Sequence, residues 1–471
     1  MNRSHSRTFT LIALAFLALA LAACAAKETP AEPEVQEAAV GDVADGLQAA
    51  PEANLAPPAG EPAFEGGEAA AGLAPGAVEA EERAAAPATG ADEALAPAAM
   101  PPMPTQVVEM PDTQFQADLT AGEINDNEQF EEYLQYRTDY GRFVGMNTVH
   151  DRDVSERYII TVRTRGGLPV LGAEVLIYGG QNLVATLRTP ATGTVYFFPR
   201  AFPAADGVNR FNVSVSKGGA VAEFDLPRGG QSQAFDVTLN VPASQPPVKL
   251  DVLFLIDTTG SMADEINQLK NNILSISAQI EALPSRPDVR FGMVTYRDIG
   301  DIYVTQTFDF VPDVQRFQRD LQNVQAAGGG DTPESFNEAL HRAVWDVSWR
   351  VEDTVSLVFL VADAPPHLDY AQDFDYAQEM VNAAGLGIKV FPISSELGES
   401  FYQSQAEYIF RQIALFTGGH FIFLTYESQP QSSGEPGRDD LSVQEGSYTV
   451  EDLDALVVRL IREELAALGG Q

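Results

Sequence analysis

Val252-Leu-Phe-Leu-Ile256 is an uninterrupted apolar run, and it ends on an acid, Asp257. A strand with one wet face alternates apolar and polar residues. A run without alternation needs cover on both faces, as a parallel strand inside an α/β sheet has. The next element is a helix: Met262, Ile266, Leu269, Ile273, Ile276 and Ile280 recur at alternating spacings of four and three, and the pattern stops near Pro284. Further buried-strand runs at 291–296, 355–362, 388–393 and 421–424 are separated by helical patterns at 314–324, 333–345, 374–384 and 406–416, with a last one at 453–465. Strands alternating with helices predict a doubly wound α/β domain over residues 247–471.

Upstream the period changes. Short strand-like runs at 158–162, 173–178, 184–187, 194–198, 211–215, 221–226 and 235–239 are punctuated by Gly, Asp, Asn and Pro. Their spacing predicts a small antiparallel β-sandwich over 153–246. Its segments Leu168-Pro-Val-Leu-Gly-Ala-Glu-Val175 and Thr189-Pro-Ala-Thr-Gly-Thr-Val195 loosely resemble carboxypeptidase-regulatory-like, Ig-type modules of secreted proteins. That resemblance implies a spacer or interaction platform. Residues 106–152 read as a linker with one short helix, on which Phe130, Tyr133 and Leu134 share a face.

The first residues bear on compartment. Arg3 and Arg7 precede an apolar run at 11–22, shorter than the roughly 20 residues a spanning helix needs, so 1–23 reads as a secretory signal. The run closes on Leu21-Ala22-Ala23-Cys24, whose cysteine is the only one in the chain, and it resembles a bacterial lipobox. The resemblance implies cleavage before Cys24 and acylation of that residue, with more than one acyl chain giving stable anchoring. Ala25, where an Asp would signal inner-membrane retention, points to a lipid-anchored envelope protein of the outer membrane. Residues 24–105 are rich in Ala, Pro and Glu, and 25–105 carry 15 acids against two bases, so this stretch reads as a disordered tether. A flexible chain of about 80 residues spans roughly 50 Å.

In a doubly wound sheet, ligands sit beyond the carboxyl ends of the strands. Three polar loops fall there: Asp257-Thr-Thr-Gly-Ser261, Gly328-Gly-Gly-Asp-Thr-Pro-Glu334, and Asp363-Ala-Pro-Pro-His367 at the end of a buried run. Together they resemble the von Willebrand factor A domain and its metal-ion-dependent adhesion site, over about residues 250–467. The wider wording, with Tyr296-Arg-Asp, looks like bacterial and alpha-kinase-linked members. The family's Asp-x-Ser-x-Ser motif, distant Thr and distant Asp fall on Asp257, Thr259, Ser261, Thr332 and Asp363, with Thr259 replacing the commoner Ser and Asp331 blurring the register of the second loop. The implied ligand set is all oxygen and holds only two carboxylates. It suits Mg²⁺ or Mn²⁺ over a soft metal, and the cation keeps enough charge to accept an acidic side chain from a protein partner.

Each residue also has a local reading. Ser261 suits the N-cap of a helix starting at Met262, and Thr332-Pro-Glu suits a helix start with Pro at its first position. Asp264 and Glu265 occupy the place where integrin β-type members keep an adjacent metal site, but acids there also complement a helix dipole. Asp298 and Asp301 could approach the same edge, but read first as solvating a loop.

Charge and motifs narrow the function. With 29 Lys and Arg against 67 Asp and Glu the net charge is −38, which disfavours nucleic acid as a direct partner. The residue two after Asp257 is Thr259 where phosphoaspartyl hydrolases have a second Asp, and no nucleophile elbow, dinucleotide fingerprint or phosphate loop occurs. Acylated Cys24 would leave no thiol, and His367 and His420 read as structural. The expectation is a non-enzymatic envelope lipoprotein that binds protein through a metal; a scaffold with an idle metal site is the alternative, and a metal-dependent hydrolase a distant third.

Overall fold

The computed structural model describes residues 119–245, 247–370, 374–395, 400–426 and 450–469. The signal, Cys24 and the tether lie outside the described residues. Among those described, no helix is long and apolar enough to cross a membrane.

The chain enters with strand β1 (Leu119–Ile124) and helices α1 (Phe130–Asp139) and α2 (Arg142–Gly145). Seven strands follow: β2 (Arg157–Thr164), β3 (Glu174–Gly179), β4 (Asn182–Arg188), β5 (Thr194–Phe197), β6 (Arg210–Lys217), β7 (Ala220–Pro227) and β8 (Ser232–Leu239). All seven runs read from the sequence are strands. They form two sheets, β5-β2-β8 and β4-β3-β6-β7, closed over Tyr158, Ile160, Val175, Ile177, Phe211 and Val213. The pairing departs from the antiparallel expectation once, because β2 and β8 run parallel. A turn signal fixes where a strand ends but not which distant strand it meets.

The second half comprises β9 (Lys249–Asp257), α3 (Ala263–Glu281), β10 (Asp288–Tyr296), β11 (Thr305–Val311), α4 (Val314–Gln322), α5 (Phe336–Trp345), β12 (Thr354–Ala362), α6 (Tyr376–Leu386), β13 (Ile388–Ser394), α7 (Phe401–Thr417), β14 (Phe421–Tyr426), β15 (Val450–Asp452) and α8 (Leu453–Gly469). The sheet order is β11-β10-β9-β12-β13-β14-β1-β15, with β10, β9, β12, β13 and β14 parallel and the edges antiparallel. Strand β9 shows why its run had to be unbroken. Val252, Phe254 and Ile256 pack with Ile266, Ile273 and Leu460 of α3 and α8, while Leu253 and Leu255 pack with Phe336, Leu340 and Ile413 of α5 and α7. Helices therefore cover both faces, as a doubly wound sheet requires.

The entry segment is more than a linker. Strand β1 pairs with β14 over six residues, and Arg411 of α7 holds the buried Asp126 at 2.6 Å. The sandwich rests on the same helical side, with Phe198 against Phe416 at 4.9 Å. The described residues thus belong to one compact unit.

Candidate metal centre

Asp257 is the last residue of β9 and is fully buried. The backbone N–H and the hydroxyl of Thr259 both donate to its Oδ1, at 2.9 and 2.7 Å, and the Ser261 hydroxyl lies 3.3 Å from that of Thr259. The loop is pinned from both sides: Thr258 donates through N–H and hydroxyl to the Tyr296 carbonyl, and Gly260 N–H donates to the Gly328 carbonyl at 3.0 Å. The other oxygen of Asp257, Oδ2, is buried and has no hydrogen-bond donor among the described residues. The buried Tyr296 hydroxyl adjoins this carboxylate, without forming a well-shaped hydrogen bond to it.

The second loop explains its glycines. Gly328 and Gly329 have φ of +85° and +67°, and a Cβ on Gly328 would lie 2.2 Å from Asp301. A Cβ on Gly329 would lie 2.9 Å from both Glu334 Oε1 and the Thr259 Cβ, so only glycine lets the loop pass. Glu334 N–H donates to the Pro365 carbonyl and His367 N–H to the Glu334 carbonyl, both at 3.0 Å. Those two bonds stitch the second loop to the third, which carries Asp363 directly after β12.

Four of the five sequence-derived ligands therefore converge. Asp257, Thr259 and Ser261 are linked by hydrogen bonds, and Asp363 is close enough to raise the pKa of Asp257. Thr332 is exposed and makes no hydrogen bond to the others. The side chains of Asp264 and Glu265, on the first turn of α3, lie outside what is described. Two helix-start readings are corrected. Ser261 lies in a short 3₁₀ turn, Gly260–Met262, and caps nothing, and α5 begins at Phe336, because Glu334 spends its backbone on the third loop.

Three further acids belong to it: Glu334, which the sequence reading missed, and Asp298 and Asp301, which it placed second to a solvated loop. Glu334 is 3% exposed, and its Oε2 also lacks a partner among the described residues. Asp298, buried rather than solvated, accepts from the Ser335 and Tyr370 hydroxyls at 2.8 Å each, and Asp301 accepts from Gly329 N–H at 3.0 Å. These contacts bridge residues 28 to 72 apart, which no local pattern announces. The available clue was the acid density of Tyr296-Arg-Asp-Ile-Gly-Asp301.

The electrostatics are those of crowded carboxylates. Burial, followed by the Asp363 charge, pushes Asp257 up to about 7; burial, followed by Asp257, pushes Glu334 up to about 9. Among the described residues no Lys or Arg pairs with Asp257, Glu334, Asp298 or Asp301. Buried anions without a basic partner are costly, and a divalent cation is the counter-charge this all-oxygen group suits. The orphaned Oδ2 of Asp257 gives such an ion a place. Beside this group, ligand atoms of Asp298, Asp331 and His367 lie within 4.8 Å of one another and could also hold a cation. There the His367 Nδ1 is 2.7 Å from Asp369, and its ring stacks on Tyr370 at 3.8 Å.

Residues 251–426 match the sequence profile of the von Willebrand factor A domain, and this part of the chain is such a domain. The alpha-protein kinase vwkA of Dictyostelium discoideum is 31% identical over 134 residues, which are 28% of this chain and 21% of the kinase. The von Willebrand factor A domain-containing protein 7 of Rattus norvegicus is 35% identical over 137 residues, 29% of this chain and 13% of that protein. The chain thus spans about a fifth or less of these two relatives. Among solved structures, the pilus adhesin SpaC of Lactobacillus rhamnosus GG aligns at a TM-score of 0.35 and 10% identity, covering 55% of this chain and 32% of the adhesin.

Proposed function

We propose that this chain is a lipid-anchored envelope protein that captures a protein partner through Mg²⁺ or Mn²⁺ held by Asp257, Thr259, Ser261, Thr332 and Asp363. The observation that carries the reading is the Asp257 carboxylate, fully buried, with Oδ2 lacking a donor and no basic residue paired to it among the described residues. When bound, the ion would supply an electrophilic position for an oxygen anion. The chain's own residues prepare for that. Thr259 fixes the Asp257 carboxylate through two hydrogen bonds to Oδ1, which leaves Oδ2 for the metal. Hydroxyl ligands add no charge, so the cation retains attraction for an acidic side chain. A partner's acid would otherwise be repelled by a chain of net charge −38, and the ion is what bridges them.

Arg3, Arg7, the apolar 11–22 run and Cys24 support the anchor, and Ala25 supports the outer membrane. Binding rather than turnover is proposed, since the sequence offers no nucleophile motif near this edge. Two tests separate the parts. Replacing Cys24 by Ser should move the protein from the membrane pellet to the soluble fraction. Partner capture by the immobilised protein should require Mg²⁺, fail in EDTA and fail with Asp257→Ala; capture indifferent to all three would mean a scaffold with an idle metal site.

A further inference from the structure

We propose that Ile299 and Ile302 form the apolar part of the partner-docking surface, so that the partner is a protein segment whose acid has an aliphatic neighbour and basic flanks. The proposal rests on the metal reading above and names the partner that would use it. The two isoleucines lie on the loop between β10 and β11, which leaves the sheet beside Asp257, because Tyr296 at the end of β10 is in register with Asp257. Ile299 is 57% exposed and Ile302 92%, the highest value of any large apolar side chain among the described residues. Single apolar residues on a surface are ordinary. This pair differs, because the loop that carries it is bonded in place next to the metal centre.

Arg297 N–H donates to the Val304 carbonyl at 2.9 Å and closes the loop at its base. Within it, Asp298 N–H donates to the Asp301 carboxylate and Asp301 N–H to the Asp298 carbonyl, both at 3.2 Å, around Gly300 with φ of +106°. The loop is tied outward as well. The hydroxyls of Tyr303 and Thr258 are 2.7 Å apart, Asp301 accepts from Gly329 N–H, and Asp298 accepts from the Ser335 and Tyr370 hydroxyls. Asp298, Asp301 and Tyr303 thus turn their polar atoms to the neighbouring loops, and Ile299 and Ile302 are left facing water. Gly329, which binds Asp301, also lies against the Thr259 side chain, so one residue separates this loop from a proposed ligand. An extended chain advances about 3.5 Å per residue, so a side chain within about three residues of the metal-bound acid reaches the isoleucines. Covering them is favourable in proportion to the apolar area removed from water. The rim sets the charge of the flanks: exposed Asp331 and Asp369 stand near Asp298 and His367, in a chain of net charge −38. The same acids disfavour an anionic lipid surface as the cover.

The test uses the full chain, Ile299→Ser, Ile302→Ser and the double variant. The probe is an array of short peptides, each with one central Asp or Glu and with the neighbouring positions varied among Leu, Ser, Lys and Glu. In Mg²⁺, peptides with Leu near the acid should bind at least about tenfold more tightly than their Ser counterparts, and outer Lys should strengthen binding where outer Glu weakens it. The double variant should lose the Leu preference but keep its need for the acid and its Mn²⁺ affinity by calorimetry. Both substitutions are on the surface, so thermal melting should be nearly unchanged. Three results would overturn the apolar surface and spare the metal site: a Leu preference retained by the double variant, no such preference in the natural chain, or no Mg²⁺-dependent peptide binding by a chain that binds Mn²⁺. Self-association of the natural chain in sedimentation, abolished in the double variant, would overturn it too, with a second copy as the cover. No Mn²⁺ binding by the natural chain would overturn both readings.

Discussion

Replacing Asp257 by Asn keeps the side chain's shape and its acceptor for Thr259, but removes a buried charge. In EDTA, the account predicts that this variant is more stable than the natural protein at pH 8. The sign follows from proton uptake. The Asp257 carboxyl titrates near 7 when folded against an ordinary value of 3.8, so between those values the folded chain holds more protons than the unfolded one. Stability from this group therefore falls as pH rises through that window, and the deficit is complete above about 7. A difference of about three pH units corresponds to roughly 4 kcal/mol, and because Asp363 and Glu334 share the crowding, about 2–4 kcal/mol is expected at pH 8. Near pH 4 the two proteins should converge. Saturating Mg²⁺ should close the gap from the other side, since a ligand at 100 times its Kd adds about 2.7 kcal/mol to the natural protein and nothing to a variant that cannot bind it. The assay is thermal melting from pH 4 to 8, with EDTA and with Mg²⁺. A variant less stable than the natural protein in EDTA at pH 8 would refute the reasoning, because the carboxylate would then be stabilised by its surroundings without a metal.

Three further outcomes are expected. Thr332→Val should weaken Mg²⁺ binding far less than Asp257→Ala in the same calorimetric titration, because Thr332 is exposed and unbonded to the other ligands whereas Asp257 is buried among them. Gly329→Ala should cost about 1–3 kcal/mol in denaturant unfolding and weaken the cation, since φ of +67° and contacts of 2.9 Å leave no room for a Cβ. Asp251→Ala should cost about 3–5 kcal/mol in the same unfolding assay while leaving cation affinity intact, because buried Asp251 accepts from Arg290 and Arg350 and is at the other end of β9 from Asp257.

What could be read from the sequence follows physical range. The faces of α3 and β9 were legible because periodicity and unbroken apolarity are local consequences of burial on one side or two. Strand β1 was not, because Leu-Thr-Ala-Gly-Glu-Ile lacks a strong strand pattern and its partner β14 lies some 300 residues away. Among the site residues, Asp257, Thr259, Ser261 and Asp363 follow from loops that end buried strands, a relation that sequence preserves. Glu334 did not. Its Thr-Pro-Glu setting looks like a helix start, and only the bonds to Pro365 and His367 reveal that the loop runs on to Ser335. Asp298 and Asp301 were ranked as loop acids first for a similar reason: their partners Ser335, Tyr370 and Gly329 come from other loops.

The central claim is that buried carboxylates at the end of β9 hold a divalent cation, and titration calorimetry of Mg²⁺ into the purified full chain and its Asp257→Ala variant tests it most directly. Saturable binding of one equivalent at this centre, abolished by the substitution, is the predicted result. Absence of saturable binding to the natural chain, or equal binding by the variant, would contradict the account.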